Sequence, residues 1–264
     1  MVSGAAVLDD IRVTRDGPVS IITISRPQAR NALRYQTLDE TMEAVRQETA
    51  RGARALVLTG EGENAFSSGA DLKEMRSASI EQKEDSLSRH WGPLLDGIES
   101  GPVPAIAAIR GYAVAGGMEL ALACHLRVLG RGAKLGLMEI LRGHIPGAGG
   151  TVRFPRLVGS GRALQYLLTG DTVDADEALR MGLANMVVPD DEVVSRAVAL
   201  GKRIAAFSPK AVELTLRAVI AQRDLPLAEA LHFEMALCRE MRAHADYHEG
   251  LDAFVEKREA DYGK

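Results

Sequence analysis

Aromatic side chains are scarce in this chain, with one Trp, five Tyr and five Phe among 264 residues. A core with so few rings must be filled by Ala, Leu, Val, Ile and Met, and a hydrophobic content of 46% is enough for one. Cysteine is scarcer still: Cys124 and Cys238 stand far apart in apolar contexts. That pattern excludes a disulfide scaffold and predicts two buried free thiols in a reducing compartment. Basic charge is not in excess, since 32 Lys and Arg face 36 Asp and Glu, which argues against a dedicated nucleic-acid binder. No apolar run approaches the roughly 20 residues of a membrane helix. No basic start followed by an apolar run marks a secretory leader. A cytoplasmic protein without a membrane partner is the expectation.

What is present alternates. Ile11–Thr14 and Val19–Ser25 read as strands joined by the Asp16-Gly17-Pro18 turn, and Tyr35–Ala50 as a helix with Leu38, Met42 and Val45 on one face. Ala55–Thr59, Val103–Ile109 and Leu126–Leu129 are short apolar strands. Ile80–Glu99 is helical, and Leu120–Ala123 continues a helix that begins among glycines. Buried strands alternating with helices indicate an α/β fold with a parallel sheet. From Gly161 onward helical patterns dominate (Arg162–Leu168, Ala175–Met181, Asp191–Ala206, Pro209–Ala221, Leu227–Ala243), interrupted by one strand, Ala184–Val188. The helical end is expected to pack on the core.

Two familiar patterns fail on context. Gly60-Glu61-Gly62-Glu63-Asn64-Ala65 spells a dinucleotide fingerprint after a strand. Phe66-Ser67-Ser68-Gly69 follows it, however, where that fingerprint needs a helix to begin. His244 and His248 are spaced to share a helix face, but no third ligand or shielded setting accompanies them, so no metal site is assigned.

The glycine-rich centre carries more. Gly116 and Gly117 open a short helix in which Glu119 is surrounded by small and apolar residues. An ionised carboxylate is costly in such a setting. The helix N-terminus beside it offers backbone N–H groups that a ligand can approach closely over glycine, which is how an oxyanion site forms without a charged side chain. Glu139 appears later, again between apolar neighbours, ahead of the glycine-rich loop 142–150. Two carboxyls in apolar settings, one near an oxyanion site, suit paired general acid–base work on a carbonyl substrate. The structural alternative is that each caps a helix or pairs with Arg142 or Arg153.

These segments resemble the crotonase (enoyl-CoA hydratase/isomerase) family. The similarity begins at Ser25-Arg26-Pro27-Gln28-Ala29-Arg30-Asn31-Ala32-Leu33, runs through Ser68–Met75, Gly116–Leu120 and Ile145–Thr151, and ends in Phe254-Val255-Glu256-Lys257-Arg258. The resemblance implies a superhelical core of stacked β-β-α units over residues 1–200. It also implies a helical region over 201–264 that forms a homotrimer or a dimer of trimers and contributes to the coenzyme A site. By the same resemblance, Ala70 and Gly116 supply the two N–H donors to a thioester carbonyl. Ala29, Ala70, Asp71, Leu72, Lys73, Phe254 and Lys257 match substrate-binding positions for the coenzyme A moiety, the last two in some members across a subunit boundary. Lys257 reads equally well as a solvated tail charge.

Hydratases of the family carry two catalytic glutamates, and both positions are Glu here. The resemblance gives Glu119 the role of orienting and deprotonating water for attack at C3 and Glu139 that of protonating C2. One oxyanion donor of this type contributes roughly 3–4 kcal/mol in other enzymes, so the hole should rival either carboxyl. No separate cofactor is implied, because coenzyme A arrives as part of the acyl-CoA substrate. Met138, His125, Val152 and His144 depart from residues common at these positions, and His144 stands where it would line the acyl pocket or hold the loop. Retention of both glutamates favours a 2-enoyl-CoA hydratase over a Δ3,Δ2-enoyl-CoA isomerase, and the mixed charges of the C-terminal helices disfavour an RNA-binding or scaffold homologue.

Overall fold

The computed structural model describes residues 8–263. The opening residues, where a secretory leader would stand, lie outside the described residues. β1 (Ile11–Asp16) and β2 (Val19–Ile24) pair antiparallel from Ile11↔Ile24 to Asp16↔Val19, so Gly17 and Pro18 alone make the turn. α1 (Tyr35–Ala50) follows and buries Leu38, Ala44 and Val45.

Three β-β-α units come next. The first comprises β3 (Ala55–Gly60), β4 (Ala65–Ser67) and the helices α2 (Leu72–Ser77), α3 (Ile80–Ser86) and α4 (Gly92–Glu99). The second is β5 (Ala105–Ile109), β6 (Tyr112–Val114) and α5 (Gly116–Ala123), and the third β7 (Leu126–Gly130), β8 (Lys134–Gly136) and α6 (Gly150–Val158). In each unit the first strand joins a six-stranded sheet and the second a four-stranded one. After α7 (Ser160–Thr169), β9 (Val173–Asp174), α8 (Ala175–Arg180) and β10 (Met186–Val188), the sheet orders are β1-β2-β3-β5-β7-β10 and β4-β6-β8-β9. α9 (Val193–Ala205), α10 (Pro209–Ala221), α11 (Leu227–Arg242) and α12 (Ala245–Glu256) complete the chain.

The large sheet is parallel from β2 to β10 and covered on both faces, which is why its central strands are continuously apolar. Side chains still alternate. Leu56, Leu58, Ala105 and Ala107 enter the main core, while Ala55, Val57, Ile106 and Ala108 pack beneath Val193, Ala197 and Val198 of α9. α9 therefore lies across residue 200 as part of the core.

Several expectations are corrected. The four-stranded sheet was not anticipated: its strands are two or three residues long, too short to show a period of two. One of them, β9, is a second strand in the half read as having only one. The helix expected over Ile80–Glu99 is broken by a π-helical turn at Leu87–Trp91. The strands expected from Val103 and Ala184 begin at Ala105, after Pro104, and at Met186. Cys124 is a buried free thiol, but Cys238 is exposed, because the helical turn of α11 directs the neighbouring Leu237 inward instead. His244 is the N-cap of α12, its Nδ1 accepting from the Asp246 N–H at 3.2 Å, so it and His248 do not sit within one helix. After Gly60 no helix begins within the glycines; the chain continues into β4. Among the described residues no helix is long and apolar enough to cross a membrane.

Arg127 on β7 joins the layers. Its buried guanidinium donates to the carbonyls of Cys124 at 2.6 Å, Ala121 at 3.3 Å and Leu183 at 2.6 Å, satisfying the end of α5. Arg127→Met keeps the stem and removes every donor. Buried carbonyls left unpaired should lower unfolding free energy by about 2–4 kcal/mol, read as a lower urea midpoint; an unchanged midpoint would show that these carbonyls do not depend on Arg127.

Candidate active site

α5 is buried along its whole length, and Glu119 is its one charged residue. The turn from β6 into α5 is abrupt. The Ala115 N–H donates to the Gly136 carbonyl at 2.8 Å, and its own carbonyl accepts the first helical bond from the Glu119 N–H at 3.0 Å. Making both requires Ala115 to adopt φ 50°, ψ −128°, a strained conformation for a residue with a Cβ, costing about 1–3 kcal/mol. The Gly116 N–H, at the first helical position, has no intrahelical acceptor.

The second strand of chain at this place is fixed by a bridge to Leu33. The Leu33 N–H donates to the Gly69 carbonyl at 2.8 Å and the Asp71 N–H to the Leu33 carbonyl at 3.0 Å, which leaves the Ala70 N–H outside the bridge. Gly69, at φ 89°, runs so close to α5 that a Cβ there would lie 2.9 Å from the Gly116 nitrogen. Ala70 and Gly116 line one cavity of about 350 Å³ together with Leu72, Glu119, Glu139 and His144.

The two carboxyls are held differently. Glu119 Oε1 accepts from the N–H groups of Ala148 at 2.7 Å and Gly150 at 2.9 Å. Burial raises its pKa, against the lowering effect of those two donors, Arg153 and His144. Glu139 opens the 3₁₀ turn Glu139–Arg142, and its Oε2 is buried without a hydrogen-bond partner. Burial pushes its carboxyl up to about 7, assisted by the charge of Glu119 and opposed by its own backbone and Arg142.

The other residues singled out in the sequence lie around this cavity or away from it. Asp71 caps α2 by accepting from the Lys73 N–H at 3.1 Å and pairs with Arg26 at 3.0 Å. Ala29, whose carbonyl accepts from the Ser68 hydroxyl at 3.4 Å, and Lys73 stand outside the cavity lining. Phe254 is 85% exposed, and Lys257 ends α12 at φ 56°; neither reaches the cavity of its own chain. His144 lines it, with Nδ1 against the Ile145 carbonyl. His125 has a structural place: Nδ1 accepts from the Ala105 N–H at 2.9 Å and Nε2 faces the Glu99 carbonyl at 3.1 Å. Burial lowers its pKa.

Trp91 was missed, and Arg153 was weighed only as an ion-pair partner of the two glutamates. Trp91 forms part of the cavity wall, and its being the sole tryptophan was the available signal. Arg153 braces the loop that holds Glu119, donating to the Ala148 carbonyl at 3.1 Å and to Glu99 at 2.9 Å. No spacing in the sequence pointed to that contact.

A carboxyl raised from 4.5 to about 7 means that across this window the native state keeps a proton the unfolded chain has released. Stability should therefore fall as pH rises through it. Relative to the unsubstituted protein, Glu139→Gln should gain unfolding free energy progressively across the window and show no gain below it. Denaturant titrations at a series of pH values check this; a pH-independent difference would place Glu139 in water.

The family model described as Enoyl-CoA hydratase/isomerase matches residues 14–264. The chain is 36% identical over 257 residues to the short-chain-enoyl-CoA hydratase of Clostridium acetobutylicum, covering 96% of this chain and 97% of that one. It is 38% identical over 252 residues to the mitochondrial enoyl-CoA hydratase of Pongo abelii, covering 94% and 84%. Among solved structures, an enoyl-CoA hydratase from Bacillus anthracis superposes with a TM-score of 0.92 at 37% identity, covering 96% of this chain and 99% of that one. Two sheets fed alternately by β-β-α units, the helical C-terminal end and these end-to-end similarities lead to one conclusion: the chain belongs to the enoyl-CoA hydratase/isomerase family.

Proposed function

We propose that this chain catalyses the reversible hydration of 2-enoyl-CoA thioesters to 3-hydroxyacyl-CoA. The observation that carries the reading is the unlike anchoring of two carboxyls on one cavity. Glu119 is fixed through one oxygen by two backbone donors, and Glu139 has a buried oxygen with no partner and a pKa raised to about 7. Carboxyls whose environments differ in this way suit a base and an acid acting together.

The thioester carbonyl lies between the N–H groups of Ala70 and Gly116, which bind more strongly as the oxygen takes on enolate charge. Glu119 Oε2 orients a water molecule and takes its proton as the oxygen bonds to C3. Glu139, protonated near neutrality, gives its proton to C2. The product gains a hydroxyl at C3 and hydrogen at C2, Glu119 is left protonated and Glu139 ionised, and exchange with solvent restores both. Every transferred group comes from water and the two carboxyls, so the chemistry asks for no further cofactor. Leu72 lines the cavity, with Asp71 and Lys73 beside it, so the coenzyme A moiety leaves past α2.

Phe254 and Lys257 complete the coenzyme A site from a neighbouring subunit. The apolar residues Leu231, Met235, Leu251, Phe254 and Val255 of α11 and α12 are all at least half exposed, more than a solvated pair of helices needs, which supports a trimer or a dimer of trimers. Leu237 belongs to the chain's own core. Light scattering should give three or six chain masses; a monomer at micromolar protein sinks the assembly.

The reaction is tested by crotonyl-CoA hydration, followed as loss of conjugated absorbance. Glu119→Gln and Glu139→Gln should each lower kcat by roughly 10²–10⁴-fold with substrate binding largely kept, and the double variant should fall short of the product of the two. Near-normal hydration in either variant would overturn the two-carboxyl mechanism. A protein that shifts the double bond of a 3-enoyl-CoA but adds no water, and depends on one glutamate alone, would be an isomerase.

A further inference from the structure

The one tryptophan of the chain stands where two cavities meet. Trp91 and Leu87 line the cavity that contains Glu119 and Glu139. Both also line a second cavity of about 210 Å³, together with Leu95, Asp96 and Arg153, and Gly147 and Ala148 are likewise shared by the two. Trp91 and Leu87 are thus part of the wall between the two spaces.

An irregularity of the backbone puts them there. Leu87–Trp91 is a π-helical turn between α3 and α4, closed by the Gly92 N–H donating to the Leu87 carbonyl five residues back. The Gly92-Pro93 pair accounts for it. Pro93 has no N–H to give an α-helical bond to Arg89, and its ring crowds that carbonyl, so the helix widens just before it. At Gly92 a Cβ would lie 2.8 Å from the Leu87 oxygen, so the widened turn also needs the glycine.

The turn is braced from α1. His90 Nδ1 lies 2.6 Å from Asp39 Oδ1, and the imidazole stacks on Tyr35 at 4.8 Å between centroids and 9° between planes. The Trp91 ring presses on Gly116, where a Cβ would sit 2.4 Å from Cη2. The Leu87 Cδ2 approaches Gly147, 3.8 Å from where a Cβ would stand. The wall therefore runs from the candidate oxyanion donor to the loop that holds Glu119, and a held π turn supports it.

We propose that Trp91 and Leu87 are specificity-determining residues that end the acyl site a few carbons beyond the thioester and select short-chain acyl groups. The second cavity is the space a longer chain enters when the wall is cut back. The identity of the substrate rests on the hydration reading above; the selection by length rests on the wall itself. A long acyl chain must displace a braced indole or a leucine that closes the same gap, whereas a four-carbon chain ends against them and displaces neither.

The test measures binding and turnover separately. Calorimetry with butyryl-CoA and decanoyl-CoA gives the affinity ratio for the unsubstituted protein, Leu87→Ala and Trp91→Phe, which keeps a ring over Gly116. Emission from Trp91 reports ligand at the wall in the first two. Hydration of the four- and ten-carbon 2-enoyl-CoAs gives the matching ratio of kcat/KM. The unsubstituted protein should favour four carbons over ten by roughly 10–100-fold in kcat/KM. Leu87→Ala should raise the ten-to-four ratio at least about tenfold in both measurements, with a smaller rise for Trp91→Phe, and Trp91 emission should change on binding.

Equal treatment of both lengths by the unsubstituted protein overturns the proposal. So do ratios unchanged in both variants, or emission indifferent to bound butyryl-CoA. If affinities shift as expected while no thioester is hydrated, the wall stands and the hydratase reading falls. If crotonyl-CoA is hydrated while the ratios stay fixed, the reverse holds.

Discussion

A carboxylate taken out of water keeps its charge only if something else solvates it, and in this fold two backbone amides do so for Glu119. The Ala148 and Gly150 N–H groups converge on one oxygen because the loop before α6 is itself tied down. Arg153 on α6 holds the Ala148 carbonyl and Glu99 at the end of α4, and Glu99 also pairs with Arg223 at 2.6 Å. The support for one buried carboxyl thus passes through two β-β-α units and reaches the segment after α10. A side chain set by backbone donors that are in turn set by ion pairs has few ways to drift.

The contrast with Glu139 follows from the same reasoning. Burial raises both carboxyls, but Glu119 is compensated by donors and Glu139 retains an oxygen with none. The charge of Glu119 adds to the cost of ionising its neighbour. The two carboxyls are distinguished by what surrounds them and not by residue type, since both are glutamates.

How much of this was legible in the sequence depended on the length of the signal. α1 was bounded correctly at Tyr35–Ala50, because four turns of amphipathic pattern leave little choice. The strands of the large sheet were visible as apolar runs between turn residues. The small sheet was not, since two or three residues carry no measurable alternation and its strands form only once the long ones are aligned. The π turn escaped because apolar spacing on either side of it remained helical, although Gly92-Pro93 marked the place. Glu119 and Glu139 stood out because charge is rare among apolar neighbours. Ala70 came from the family resemblance alone, a backbone donor having no side-chain signature, whereas the helix start at Gly116-Gly117 marked a donor site by its glycines. Phe254 and Lys257 have no place in the cavity of a single chain.

The conformation of Ala115 bears on the directional spread of the Gly116 amide. Glycine at the junction of β6 and α5 would adopt φ 50°, ψ −128° without strain, but it would also reach several neighbouring wells. Alanine has fewer backbone states to occupy. Once the bonds from Gly136 and Glu119 force it into this one, the methyl group closes off most alternatives. The next peptide plane is then confined to a narrow cone, and with it the N–H vector of Gly116. A methyl group that makes the turn harder to form also makes it harder to leave, so local strain here serves as angular stiffness.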